Sequence, residues 1–122
     1  MKPSTLAVRS QLPISIDLAR LQKRASHAAT LLKVMANASR LIILCQLAEG
    51  EKAVGELEGV VGLSQSALSQ HLSVLRQQGL VTTRREGQSI CYSLASKEAQ
   101  TIMLALHDVF CGKSGRNGAE QV

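Results

Sequence analysis

The sequence predicts a mainly α-helical domain with one small β-hairpin, on three observations. Hydrophobic residues make up 45% of the 122 residues but aromatic residues only 2%, so a core must be packed from Leu, Ile, Val, Ala and Met, a set that suits helices. Those residues recur at three- and four-residue steps over most of the chain, the period of a helix with one buried face. One segment departs from that period: LVTTRREGQSICYSL, Leu80 to Leu94, alternates on either side of REGQ and reads as two strands joined by a turn.

The length suits a single domain. Residues 1–15 carry Pro3 and Pro13 with no helical period, and residues 112–122, GKSGRNGAEQV, are Gly-rich and polar, so both ends read as flexible tails around a folded segment at 16–111. The first helix runs from about Asp17 to Ala36, with Leu21, Ala25, Ala28, Leu32 and Met35 on one face. Asn37 caps a second helix through RLIILCQLAEG, which is apolar on nearly all sides, belongs in the centre and stops at Gly50. AVGELEGVV at 53–61 is a short third helix, and Gly62 to Ser64 form a tight break with Ser64 as cap of the fourth. In that fourth helix Leu68, Leu72 and Leu75 point one way, while Ser66, Ser69, Gln70, Ser73 and Gln77 point the other. Gly79 ends it, Gly87 sits at the tip of the hairpin, and Ser96 opens a last helix to Cys111 that Gly112 terminates.

The polar face of the fourth helix, SQSALSQHLSVLRQQ, contains no carboxylate. Two short helices joined by a tight turn, the second with such a face, form a helix-turn-helix, and the basic hairpin behind it forms a wing. The expected fold is therefore a winged helix-turn-helix: four helices, a two-stranded wing and a C-terminal fifth helix. Gln65, Ser66, Ser69 and Gln70, at the start of the fourth helix, are the candidates for base edges in the major groove of double-stranded DNA. Arg84 and Arg85 on the hairpin are the candidates for phosphate or the minor groove. A formal net charge of +5 fits a polyanionic partner without specifying one.

No run approaches the roughly 18 apolar residues of a membrane helix, and no secretory signal opens the chain, which points to the cytosol. Three cysteines, Cys45, Cys91 and Cys111, do not make a disulfide framework and are expected as thiols there. No Ser/His/Asp set, phosphate loop or cofactor fingerprint supports an enzyme, and no cofactor is expected.

Through RLIIL, GELEGVVGLSQSALSQHLSVLRQQGLV and TRREGQSICYSL the chain resembles the ArsR/SmtB family of bacterial winged-helix repressors, over roughly residues 20–111. The resemblance implies a homodimer, built largely from the first and last helices, that leaves a palindromic operator when an inducer acts. It also implies that Gln65, Ser66, Ser69 and Gln70 face DNA. Independently, Ile102, Leu106 and Val109 with Ala99, Met103 and Phe110 make two apolar rows on the last helix, more than a small core can cover, and a second subunit would cover the rest. Gln88 stands at the hairpin tip where relatives often have a basic residue.

The metal-site patterns of that family, Cys-x-Cys on the third helix or Asp and His along the last, are absent: ELEGVVG has no cysteine, and His107 and Asp108 point about 100° apart. Cys45 and Cys111, by contrast, are similar in context to the cysteines of the BigR, SqrR and YgaV branch, related to HlyU. The resemblance implies that they sense persulfides or polysulfides, reactive sulfur species that modify and bridge the two thiols. Cys45 also shares a helical face with Leu41, Leu44 and Ala48, where a free cysteine serves as a small hydrophobe. Cys111 ends a helix whose partial negative charge disfavours a thiolate. Cys91 points with Ser89 and Ser93 away from Ile90 and Tyr92, and has no expected role. The alternatives from sequence are a repressor answering general oxidants by a plain disulfide, one holding a soft metal or metalloid by thiolates, and, from another class, a winged-helix protein-interaction module.

Overall fold

The computed structural model describes residues 16–112, so the expected tail at 1–15 lies outside the described residues, as does 113–122 of the C-terminal one. Among these residues, five helices and three strands follow in the order α1 (Leu18–Met35), α2 (Ala38–Ala48), β1 (Lys52–Ala53), α3 (Val54–Val61), α4 (Gln65–Gln77), β2 (Val81–Glu86), β3 (Ser89–Leu94) and α5 (Lys97–Cys111). The chain divides into two units at Thr30/Leu31. In the first, Asp17 caps α1 by accepting a hydrogen bond from the Arg20 amide at 3.1 Å, and Leu18 and Leu21 are exposed.

The second unit holds the core. Ile43, Leu44 and Leu47 of α2, Leu57 of α3, Leu68, Leu72 and Leu75 of α4, Leu80 and Val81 at the start of β2, and Ala99 and Met103 of α5 form one buried cluster, closed by Val34 and Met35. All are aliphatic or Met, as the lack of aromatics required. The turns fall where the local chemistry dictates. Asn37 accepts from the Arg40 amide at 3.0 Å, Ser64 from the Ala67 amide at 3.2 Å and Ser96 from the Ala99 amide at 3.0 Å, each side chain satisfying an amide that the first helical turn leaves free. Ser64→Ala should accordingly lower stability by about 1 kcal/mol, read as a shift of the urea midpoint at unchanged slope. Gly62 between α3 and α4 (φ +69°) and Gly87 at the hairpin tip (φ +64°) take up left-handed backbone that a side chain would strain.

The two-stranded wing that the sequence predicts is the β2–β3 hairpin, to which the structure adds a short third strand, giving the sheet order β1-β3-β2. Lys52 and Ala53 pair antiparallel with Tyr92 and Cys91, and a two-residue strand is too short to leave an alternation. As expected, α2 lies in the centre, with Ile43, Leu44 and Leu47 in the core, although its apolar surface is not covered all round: Ile42 is 48% exposed and Cys45 and Ala48 are exposed. No single helix among the described residues is long and apolar enough to cross a membrane.

Candidate functional site

The first element of the site is the outer face of α4. Its leucines, at three- and four-residue steps, are at most 2% exposed, which turns Gln65, Ser66, Ser69, Gln70, Ser73 and Gln77 into solvent. All four sequence-predicted α4 contacts thus lie on one uninterrupted polar face. The Ser64 cap holds the free end of the helix, where Gln65 and Ser66 stand.

Arg40, which sequence reasoning passed over, braces this helix. Its Nε donates to the Val34 carbonyl at 2.6 Å, at the end of α1, and Nη1 lies 3.4 Å from His71 Nδ1 on α4. A single basic residue among the apolar residues of RLIIL was the one available signal.

The wing is the second element. Adjacent residues of a strand point to opposite faces of the sheet, so Arg84 and Arg85 diverge: Arg84 stands opposite Cys91 and Arg85 opposite Ile90. The Arg84 guanidinium grips Glu51 at 2.7 and 2.9 Å and Glu86 at 2.8 Å. Arg85 is exposed and forms no ion pair among the described residues. The hydrogen bond from Arg84 holds the Glu51 carboxyl below its ordinary value of 4.5, with the Arg84 charge and Ser93 acting in the same direction. A depressed carboxyl pKa means that the tie is fully present above the ordinary value and is lost as pH falls through the lowered one. Glu51 could not be picked from sequence, because its partner is 33 residues away. It links the loop after α2 to β2.

The third element is a groove of about 320 Å³ between α2 and α5, lined by Leu41, Ile42, Cys45 and Gln46 on one side and Met103, Leu106, His107, Phe110 and Cys111 on the other. Both Cys45 and Cys111 are free and exposed. Successive α2 residues diverge by about 100°, so Leu44 is fully buried while Cys45 faces the groove, and the small-hydrophobe reading of Cys45 is set aside by its exposure. Partial burial, the nearby Cys111 and the Glu49 carboxylate one turn away push the Cys45 thiol up from its ordinary value of 9.0. At neutral pH the thiolate is therefore scarce, and alkylation of Cys45 should quicken about tenfold per pH unit between pH 7 and 8.5, measured by mass-resolved iodoacetamide labelling. Cys91 is buried in the central strand and takes no part in the groove. Among the described residues no group of three or more His, Cys, Asp or Glu converges on a common point.

Apolar surface continues past the groove along α5. Ala99 and Met103 are in the core, Ile102 and Leu106 pack against it, and Leu104, Val109 and Phe110 are 58%, 72% and 74% exposed. Three such side chains on one helix are a cost in water that another surface would remove.

These features recur in known proteins. Residues 37–83 match the family described as "Bacterial regulatory protein, arsR family". The chain is 48% identical over 96 residues to the transcriptional activator HlyU of Vibrio cholerae, covering 79% of this chain and 89% of that protein. It is 47% identical over 96 residues to the biofilm growth-associated repressor of Agrobacterium fabrum, covering 79% and 82%. The crystal structure of the transcriptional repressor BigR from Xylella fastidiosa superposes with a TM-score of 0.75 at 43% identity, covering 79% of this chain and 98% of that one. With the polar helix, wing and five-helix order in place, this protein belongs to the ArsR family of winged-helix transcriptional regulators, in the branch that includes HlyU and BigR.

Proposed function

We propose that this protein is a homodimeric DNA-binding repressor whose grip on its operator is switched by persulfide or polysulfide chemistry at Cys45 and Cys111. One observation carries the switch: the two thiols open on a single groove between α2 and α5. The dimer reading draws on the exposed Leu104, Val109 and Phe110 of α5, and DNA binding on the carboxylate-free face of α4. Relatives named as activator and as repressor both occur. A protein that vacates an operator produces either sign, according to what else competes for that DNA.

In this reading Gln65, Ser66, Ser69 and Gln70 read base edges, while Arg85 neutralises phosphate. Arg84, engaged by Glu51 and Glu86, fixes the wing and reaches DNA only if it exchanges a carboxylate for a phosphate. Arg85→Ala should therefore weaken binding to all sequences alike and flatten the slope of log K against log salt by about two, one for each subunit of the dimer. Full slope retained in that variant, measured by fluorescence anisotropy, would remove Arg85 from the interface.

The switch is sulfur transfer. A Cys45 thiolate attacks the outer sulfur of a persulfide RSSH, the S–S bond breaks, RS⁻ leaves, and Cys45 becomes a persulfide. Cys111 attacks the inner sulfur of a second RSSH, expelling HS⁻, and the Cys45 persulfide then displaces RS⁻ from the resulting mixed disulfide. Two thiols and two persulfides thus yield a trisulfide bridge, two RSH and one hydrogen sulfide, with the persulfides as the oxidant. The bridge ties α2, which leads into the Glu51 loop and hence the wing, to the dimer helix α5. A locked pair of helices biases the dimer between its DNA-competent and incompetent states.

Peptide mass mapping of reduced protein after treatment with a low-molecular-weight persulfide, compared with diamide, tests this, with operator binding read in parallel. A Cys45–Cys111 crosslink carrying extra sulfur and release from the operator are expected with persulfide alone. A plain disulfide with both reagents would make it a general redox switch, and an unmodified Cys45 would end the thiol reading.

A further inference from the structure

The α2–α5 groove does more than bring two sulfurs together, because its lining also discriminates among reagents. From Leu41, Ile42, Met103, Leu106 and Phe110 around the two thiols, we infer that it binds the organic part of the incoming persulfide and selects persulfides whose chain is uncharged and apolar over those on a charged peptide. The inference rests on the thiol-switch reading and names the substrate class of that same site.

Charge argues for this occupant as strongly as shape does. Among the described residues no Lys or Arg lines the groove, whose polar members are Gln46 and His107 besides the thiols. A carboxylate-bearing reagent would find no cationic partner among them, and the groups whose charge acts on Cys45, Cys111 and then Glu49, are both acidic and add no attraction for an anion. Taking a carboxylate out of water without a partner is costly, whereas an alkyl chain gains by leaving water. The scarcity of the Cys45 thiolate at neutral pH adds to the demand for binding: a reagent held in the groove meets the thiolate whenever it forms, while a free one must collide at that moment. The step itself is one sulfur transfer: Cys45–S⁻ and RSSH give Cys45–SSH and RS⁻, the S–S bond of the reagent breaking and its thiol leaving reduced.

The test uses the full chain, fully reduced, and follows Cys45 persulfidation by mass spectrometry with methyl, butyl and glutathione persulfides at equal concentration and pH. The rate is expected to rise about tenfold from methyl to butyl, since each methylene removed from water contributes up to about a fourfold gain and an open groove captures part of it. Glutathione persulfide should be slower than butyl by about as much. Ile42→Lys, at a position already 48% exposed so that folding tolerates it, adds a cation to the lining. It should shrink the butyl advantage and raise the glutathione persulfide rate. Equal rates for all three reagents, or glutathione persulfide fastest in the parent chain, would overturn the inference while leaving the thiol switch standing. If none of the three modifies Cys45, both fall.

Discussion

Replacing Ser69 and Gln70 together by Ala should weaken operator binding by about 30- to 20,000-fold per half-site, since each good base contact contributes about 1–3 kcal/mol of discrimination. Thermal stability should not change, because both side chains are exposed on α4 and surface substitutions fall within about 0.5 kcal/mol. Binding to unrelated DNA should fall far less, since it rests on phosphate neutralisation rather than on base edges. The informative quantity is therefore the ratio of specific to non-specific affinity, measured at one fixed salt concentration in competition with random duplex. A ratio left unchanged would show that α4 does not read sequence. A drop in both affinities together would make the face a phosphate contact instead.

The second large effect contrasts two neighbours on α2. Leu44 is fully buried, and Leu44→Ala should cost about 2–5 kcal/mol, the transfer term of the lost side chain plus the cavity left in a core that relaxes incompletely. For a small domain that is a large share of the total stability. Cys45 is exposed beside it, and Cys45→Ser should cost within about 0.5 kcal/mol while abolishing release from the operator by persulfide. Urea titrations of the two variants, with operator binding before and after reagent, separate the roles. A Cys45→Ser protein that still responds would move the sensing elsewhere, and a strongly destabilised one would return Cys45 to packing.

The segment that reads most plainly in the sequence is also the one with the most local physics. The leucines at 68, 72 and 75, the Ser64 cap and the Gly62 break are interactions within a few residues of one another, so α4 and its outward polar face follow from pattern alone. The same holds for the β2–β3 hairpin, whose alternation turns at Gly87, and for α5 between Ser96 and Gly112. Length and the near absence of aromatics likewise determined a small aliphatic core.

What the tertiary structure decided are relations between residues distant in the chain. Strand β1 exists because β3 offers an edge to Lys52 and Ala53; two residues carry no periodic signal of their own. The divergence of Arg84 and Arg85 is legible in the alternation, but the capture of Arg84 by Glu51 is not, since an ion pair across 33 residues leaves no trace in either neighbourhood. Likewise, the composition of α2 is apolar almost all round, and only packing against β3, α3, α4 and α5 determined that Leu44 is core while Ile42 and Cys45 face outward. The sequence by itself determined which residues have chemistry to offer. The folded chain decided which of them meet, because burial and pairing are properties of the assembled surface and not of any local segment.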